Sequence, residues 1–303
     1  MQERAPVRDE RPTSCVWCGA ALGSGALRLS GRTRCAACGV ATTDPWPGDR
    51  TLGVAYARYR PETGRFTGIG DAVLRHTRAR LARRVDRIAP PGRVLDVGAG
   101  DGTLVDALVA RGREAIGLER DARHPALREA DVDEVEGRWS AVVFWHSLEH
   151  LTAPATSLAA AAQRLNSGGV VFVAVPNTDS LQARLFGDRW LHLDLPRHLA
   201  HLSAGALRAR LRELGLEVTR ESHWRGGQIV FGWLHGLVGR LPGRPDLYDA
   251  IRAPAARSRP MTEGTRWTAL AVAAILLAPA AVASAAEVAA RRGGTVYMEA
   301  RLA

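Results

Sequence analysis

The chain has 303 residues, 46% apolar and 24% charged, a composition with enough apolar residues for a sizeable core in one large domain or two smaller ones. Its net charge is +10, and every basic residue is arginine, since the sequence contains no lysine. The arginines are spread along the chain, so the charge reads as compositional bias and not as a block built to hold a polyanion. Residues Met1 to Arg11 are charged and lack an apolar run, which argues against a secretory leader and makes cytoplasmic residence the expectation.

The first stretch, residues 1–50, has several glycines, a Pro-Trp-Pro at Pro45–Pro47 and no long periodic segment. It is too small to build a core by itself. It also holds all four cysteines, as Cys15-Val-Trp-Cys18-Gly and Cys35-Ala-Ala-Cys38-Gly. Two cysteines so spaced can place both thiolates on one metal, and four complete a closed tetrahedron with no open position. The sixteen residues from 19 to 34 fit zinc-ribbon spacing, so Cys15, Cys18, Cys35 and Cys38 are read as ligands of a structural Zn2+. Disulfides are the weaker reading without an export signal.

An amphipathic helix is expected over Asp71–Ile88, ended by Pro90-Pro91-Gly92. Strands and helices then alternate. Strands are read at Arg93–Val97, Ala115–Leu118, Val132–Val135, Ala141–Trp145 and Val170–Val175, with helices at Leu104–Ala110 and Ala155–Leu165. A helix at Leu207–Leu214 and a strand near Glu217–Arg220 follow. This order predicts an α/β fold with a parallel sheet covered by helices. Residues 226–294 break the rhythm with a proline-rich stretch and an uncharged run, Trp267–Ala286. That run is long enough to span a bilayer, but it is mostly alanine and contains Pro279; a buried or amphipathic helix is the better reading, with peripheral membrane contact kept open. Thr295–Leu302 alternates like a final strand.

The central motif is Val94-Leu95-Asp96-Val97-Gly98-Ala99-Gly100-Asp101-Gly102, a strand running into alternating glycines and then a helix. Glycine lets a ligand lie against the backbone, and the helix start offers free N–H groups. Glu119 ends the next strand, where an acid can accept hydrogen bonds from both hydroxyls of a ribose. The GxGxG spacing, with Asp96 inside the strand, resembles motif I of the class I S-adenosylmethionine (SAM)-dependent methyltransferases. Three later segments strengthen the resemblance. Ser147-Leu148-Glu149-His150 carries an LEH after the fourth strand; Arg164 to Gly169 looks like the LxPGG turn with Ser167 in place of proline; and Val175-Pro176-Asn177 matches VPN. Leu195-Pro196-Arg197-His198-Leu199 is similar to a PRHL segment of a bacterial small-molecule and sugar-type subgroup that also has an N-terminal CxxCG pair.

The resemblance implies a Rossmann-like, seven-stranded, mostly parallel sheet whose last two strands form an antiparallel pair. Residues 51–225 would then be the SAM-binding domain, 226–294 a helical apolar insertion and 295–303 the last strand. It implies SAM contacts from Asp96, Gly98, Gly100, Asp101, Gly102, Glu119, Trp145 and His146. Family members usually carry an acid after strand three that binds the adenine amino group. With strand three at Val132–Val135 no acid sits there, so Trp139 is read as covering the adenine, or Glu136 as reaching it.

Methyl transfer from a sulfonium needs alignment and exclusion of water; a hydroxyl acceptor also needs a base, and no metal is required. Candidate bases are His146, Glu149 and His150 after strand four, and His192, Asp194, His198 and His201 after strand five. Of these, His150 and His198 are the expected catalytic residues. His146 to His150 also spells the HxxEH of a metalloprotease family, which requires a helix presenting both histidines, whereas here the motif follows a buried strand. Tyr56 and Tyr59 are candidates for the acceptor pocket. The leading expectation is methyl transfer to a small-molecule or glycan/lipid-linked precursor. An RNA methyltransferase using the cysteine module, a non-catalytic binding protein on the same fold, and last an NAD-dependent oxidoreductase are the alternatives.

Overall fold

The computed structural model describes residues 9–57 and 70–302; Tyr59 lies outside them. The N-terminal region contributes three short strands, β1 (Leu27–Leu29), β2 (Arg32–Arg34) and β3 (Ala41–Thr43), and helix α1 (Asp49–Ala57). Helix α2 (Gly70–Ile88) follows the expected periodicity and buries Leu81, Ala82 and Val85. These pack against Leu104 and Leu108 of α3 (Thr103–Val109), while its arginine-rich face turns outward.

The main sheet starts with β4 (Val94–Val97), whose four residues are all buried, as expected of a strand covered on both faces. It continues with β5 (Ala115–Leu118), β6 (Leu127–Arg128), β7 (Trp139–Trp145) and β8 (Leu165–Pro176), with α4 (Pro154–Gln163) between the last two. Further along lie α5 (Leu181–Phe186), β9 (Ala200–His201), α6 (Ala204–Glu213) and β10 (Leu216–Ser222). Helices α7 (Gly227–Val238), α8 (Leu247–Ile251), α9 (Glu263–Ile275) and α10 (Leu277–Ala289) precede β11 (Thr295–Leu302). The seven-stranded order is β10-β11-β8-β7-β4-β5-β6. β4 through β8 are parallel, and β11 runs antiparallel to both β8 and β10. The expected terminal antiparallel pair is thus present, with the helical segment inserted between its strands.

The chain leaves β4 toward β5 and β6 on one side and returns to β7 on the other. That reversal opens a crevice at the carboxyl ends of β4 and β7, where open α/β sheets bind ligands.

Two expectations need correction. Strand three is not Val132–Val135 but β6, with Leu127 and Arg128 opposite Gly117 and Leu118 of β5. Residues 132–135 form a turn, and Val132 and Val135 are buried there as packing groups. The uncharged run is not one helix either. It breaks at Leu276 into α9 and α10, which bend by 59°. Pro279 falls in the first turn of α10, where its missing N–H costs no intrahelical bond. No single helix among the described residues is long and apolar enough to cross a membrane. The pair buries small residues and exposes large apolar ones: Ala269, Ala280 and Ser284 are buried, whereas Trp267 is 61%, Ile275 76%, Leu277 53% and Val282 71% exposed. Buried Glu287 of α10 locks the insertion to the sheet domain, accepting from the Gln182 backbone N–H and side-chain amide and from Trp233 Nε1.

The N-terminal strands do not form an independent unit. β3 pairs antiparallel with β9, giving a four-stranded sheet β1-β2-β3-β9 that joins the cysteine region to the segment after α5.

Candidate active site

The loop leaving β4 is shaped by glycines in the left-handed region: Gly98 at φ +74°, Gly100 at +63° and Gly102 at +82°. Gly98 has no room for a side chain, since a Cβ there would lie 2.3 Å from Ser147 Cβ. Asp101 Oδ1 accepts from Thr103 N at 3.1 Å and from Thr103 Oγ1 at 2.7 Å, closing the first turn of α3. Glu119, one residue beyond β5, accepts from Gly100 N at 2.7 Å. The acid arm and the glycine loop therefore brace each other across two strands. Asp96 is 3% exposed and its Oδ1 has no hydrogen-bond partner. Burial pushes its carboxyl up to about 7; Arg78 pulls it back, and the charges of Glu119 and Asp101 add to the rise.

Opposite this loop, β7 ends at Trp145, and His146 follows it. The Arg225 guanidinium lies 3.9 Å from the Trp145 ring centroid and that of Arg78 lies at 5.7 Å. His146 sits at φ +56°, a strained position for a residue with a side chain, and its buried Nε2 has no partner. Burial, with Arg225 and Arg78 nearby, drives its pKa well below the usual value.

A 3-10 turn, Leu148–His150, follows. It places Glu149 at 1% exposure with both carboxylate oxygens unpartnered. His146 Nδ1 lies 3.6 Å and His198 Nε2 4.0 Å from Glu149 Oε1. The His198 segment is held here by the Leu199 N–H, which donates to the Glu149 carbonyl at 2.8 Å. His150 Nδ1 stands 3.0 Å from the Arg197 carbonyl and 3.2 Å from Tyr56 Oη; His198 Nδ1 stands 2.8 Å from the His192 carbonyl. A carbonyl only accepts, so each Nδ1 carries the proton and each Nε2 keeps its lone pair. The two rings meet edge to face with centroids 4.5 Å apart. Burial holds both neutral, pushing His150 down to about 4.

Residues 73–221 match the methyltransferase-domain family. Residues 73–221 are thus a methyltransferase domain. A ubiquinone biosynthesis O-methyltransferase of Aromatoleum aromaticum is 28% identical over 150 residues, covering 41% of this chain and 64% of that protein. The match thus spans less than two thirds of the relative's length. A SAM-dependent methyltransferase from Archaeoglobus fulgidus superposes with a TM-score of 0.48 at 16% identity, covering 75% of this chain and 94% of that one. The magnesium protoporphyrin IX methyltransferase of Synechocystis, solved with S-adenosylhomocysteine, gives 0.42 at 15% identity over 56% of this chain and 87% of that one.

Two adenine-side expectations for the methyltransferase domain fail. Trp139 is fully buried at the start of β7, the end opposite the crevice, with Arg93 stacked 4.5 Å from its ring. It is a packing residue and cannot cover a ligand at the carboxyl edge. Glu136 is exposed near that same far end. With strand three relocated to β6, acids do follow it: Glu129 and Asp131. Glu129 is 3.3 Å from Ala122 N, while exposed Asp131 stands three residues past the strand. Sequence reading missed Asp131 because a two-residue strand leaves no periodic signal. His201 is also outside the crevice: it is buried on β9, its Nε2 3.0 Å from Thr43 Oγ1.

The four cysteines converge. Cys15 Sγ and Cys38 Sγ are 3.6 Å apart, Cys18 Sγ and Cys35 Sγ 3.7 Å, and all four are free thiols. Zn–S bonds of ~2.3 Å in a tetrahedron separate the sulfurs by about 3.8 Å, so the set fits a structural zinc. Gly19 at φ +73° and Gly39 at +74° give both knuckles the same turn, and their N–H groups donate to the Cys15 and Cys35 carbonyls.

Proposed function

We propose that this protein transfers a methyl group from SAM to an oxygen of a small-molecule acceptor. The observation that carries the reading is the pairing, at one topological switch point, of a braced glycine loop with a facing group of unsatisfied polar atoms. SAM supplies an electrophilic methyl group on a sulfonium. Gly98, Gly100 and Gly102 would let its methionine part approach the backbone, with Asp96, Asp101 and His146 beside it, and Glu119 would accept from the ribose hydroxyls. Asp131 fits the adenine amino group. Trp145, pinned by two arginines, forms the floor between the two halves. His150 and His198, neutral and with lone pairs free, would activate the acceptor's hydroxyl.

The finer reading is a lipid-linked or otherwise membrane-borne acceptor, with the protein cytoplasmic and docked peripherally. The exposed Trp267, Ile275, Leu277 and Val282 of α9 and α10 support it, as large apolar side chains left in water suit burial at a membrane surface. Co-sedimentation with anionic vesicles, lost in an Ile275→Ser, Val282→Ser double variant, would support docking; no sedimentation of the parent protein would remove it.

The deciding experiment is calorimetric titration of the zinc-replete protein with SAM and S-adenosylhomocysteine, beside an Asp96→Ala, Glu119→Ala double variant. Micromolar binding, lost in the variant, is the expected result. A well-folded parent that binds neither compound would overturn the reading.

A further inference from the structure

We propose that Glu149, His150 and His198 form a site for a divalent cation of the zinc, manganese, iron or cobalt class, and that this cation receives an acceptor bearing two adjacent oxygen donors. The second half rests on the methyl-transfer reading above; the first does not.

One ligand atom from each of the three residues lies within 4.8 Å of the other two. With bonds of ~2.1 Å, three such atoms draw together by roughly an ångström to meet one metal. Three further observations make the group a ligand set. Glu149 is an almost fully buried carboxylate with no hydrogen bond to either oxygen. Burying a charge without a partner is costly, and a cation removes that cost. Both histidines donate Nδ1–H to backbone carbonyls, the outer arrangement that fixes a ring and aims the other nitrogen at a metal. Asp194, held by Arg197 through both of its oxygens, stands 3.7 Å from His198 Nε2 and adds negative charge beside the group.

The donor set decides the class of ion. Two imidazoles and one carboxylate suit zinc or a first-row transition ion, and three protein ligands leave positions open for an exogenous one. This separates the site from the cysteine cluster, whose four thiolates close their own tetrahedron. It also differs from the helical arrangement that HxxEH spells. Here His198, brought in from a distant segment, takes the place of His146. The site lies beside the cofactor loop, because Ser147, two residues before Glu149, is the group that excludes a side chain at Gly98. A catechol or a vicinal hydroxy-carbonyl would fill two open positions with one hydroxyl turned toward that loop, the cation then replacing the free His150 and His198 lone pairs as the group that favours loss of the hydroxyl proton.

The test loads the cysteine site with zinc and then titrates the full-length protein with cobalt(II). The expected result is one further equivalent whose d–d absorption appears without sulfur-to-cobalt charge transfer. Glu149→Gln and His198→Ala should weaken this binding about 100-fold or more. Cobalt should also raise the melting temperature of the parent protein and not that of Glu149→Gln. Added catechol should shift the cobalt spectrum of the parent. If the zinc-replete parent takes up no second ion, or if folded Glu149→Gln binds it as tightly as the parent does, the site is overturned. An unmoved spectrum with catechol overturns the acceptor class alone. A second ion bound by a protein that does not bind SAM keeps the site and removes the methyl-transfer reading.

Discussion

The two polar clusters of this protein are built on opposite principles. At the cysteine knuckles the donors are matched in pairs and closed: four sulfurs within 4.8 Å of one another, a full tetrahedral set that leaves no position for a substrate. At the carboxyl ends of β4 and β7 the groups come from distant segments and are left unsatisfied, with Asp96, His146 and Glu149 all holding unpartnered buried atoms. A closed cluster stabilises the fold, whereas an open one retains its desolvation cost until a ligand arrives. The two are mechanically joined, because β3 pairs with β9 and the Thr43 hydroxyl donates to the His198 carbonyl.

The sharpest break would come at the closed cluster. Cys15→Ser should release zinc, unfold residues 9–57 and expose the Ala200 and His201 amides to hydrogen exchange. SAM affinity should change by less than about tenfold, since β4 is paired on both sides by β5 and β7 and the glycine loop is braced by Glu119; loss of SAM binding on the same scale as the exchange would show the two clusters to be one unit. Within the open cluster, Glu119→Ala should weaken SAM binding by about 100-fold, a loss of ~3 kcal/mol, by removing both a ribose partner and the brace on Gly100. Calorimetry reads this directly, and an unchanged affinity would detach Glu119 from the site.

Asp96→Asn tests the idea that the open site stores a penalty. The folded-state pKa of Asp96 is raised, to about 7 from 3.8, so its ionised form is the destabilised one. That penalty is absent below pH 3.8, grows between the two values and is complete above pH 7. The variant should therefore melt a few degrees higher than the parent at pH 8, with the gap shrinking as pH falls toward 4, while SAM affinity drops. A gap independent of pH would locate the gain elsewhere. The smallest effect is expected at Trp139→Phe, which should lower the melting temperature slightly and leave SAM affinity unchanged, because that residue lies at the far end of β7. A large change in affinity would contradict its placement.

Much of this was legible in the sequence. The spacing of Cys15, Cys18, Cys35 and Cys38 specified their cluster, since a CxxCG knuckle folds on its own local geometry. The run from Val94 to Gly102 announced a strand, a glycine turn and a helix, because buried strands and left-handed turns impose residue types position by position. The antiparallel end formed by β10 and β11 was implied by the family resemblance, whereas the alternation of Thr295–Leu302 marked only a strand. Tertiary structure alone decided what depends on pairing across distance. β6 is only two residues long and exists because β5 offers it an edge, so its location, and with it Asp131, could not be read from periodicity. The break at Leu276 has a local signal in Pro279, which sits in the first turn of a helix and not in its interior; the 59° bend between α9 and α10 was decided by the packing of the insertion, where Ala269 and Ala280 are buried together. The meeting of Glu149 and His150 with His198 depends on the sheet order and on β9 being held by β3, and local sequence carries no record of such contacts.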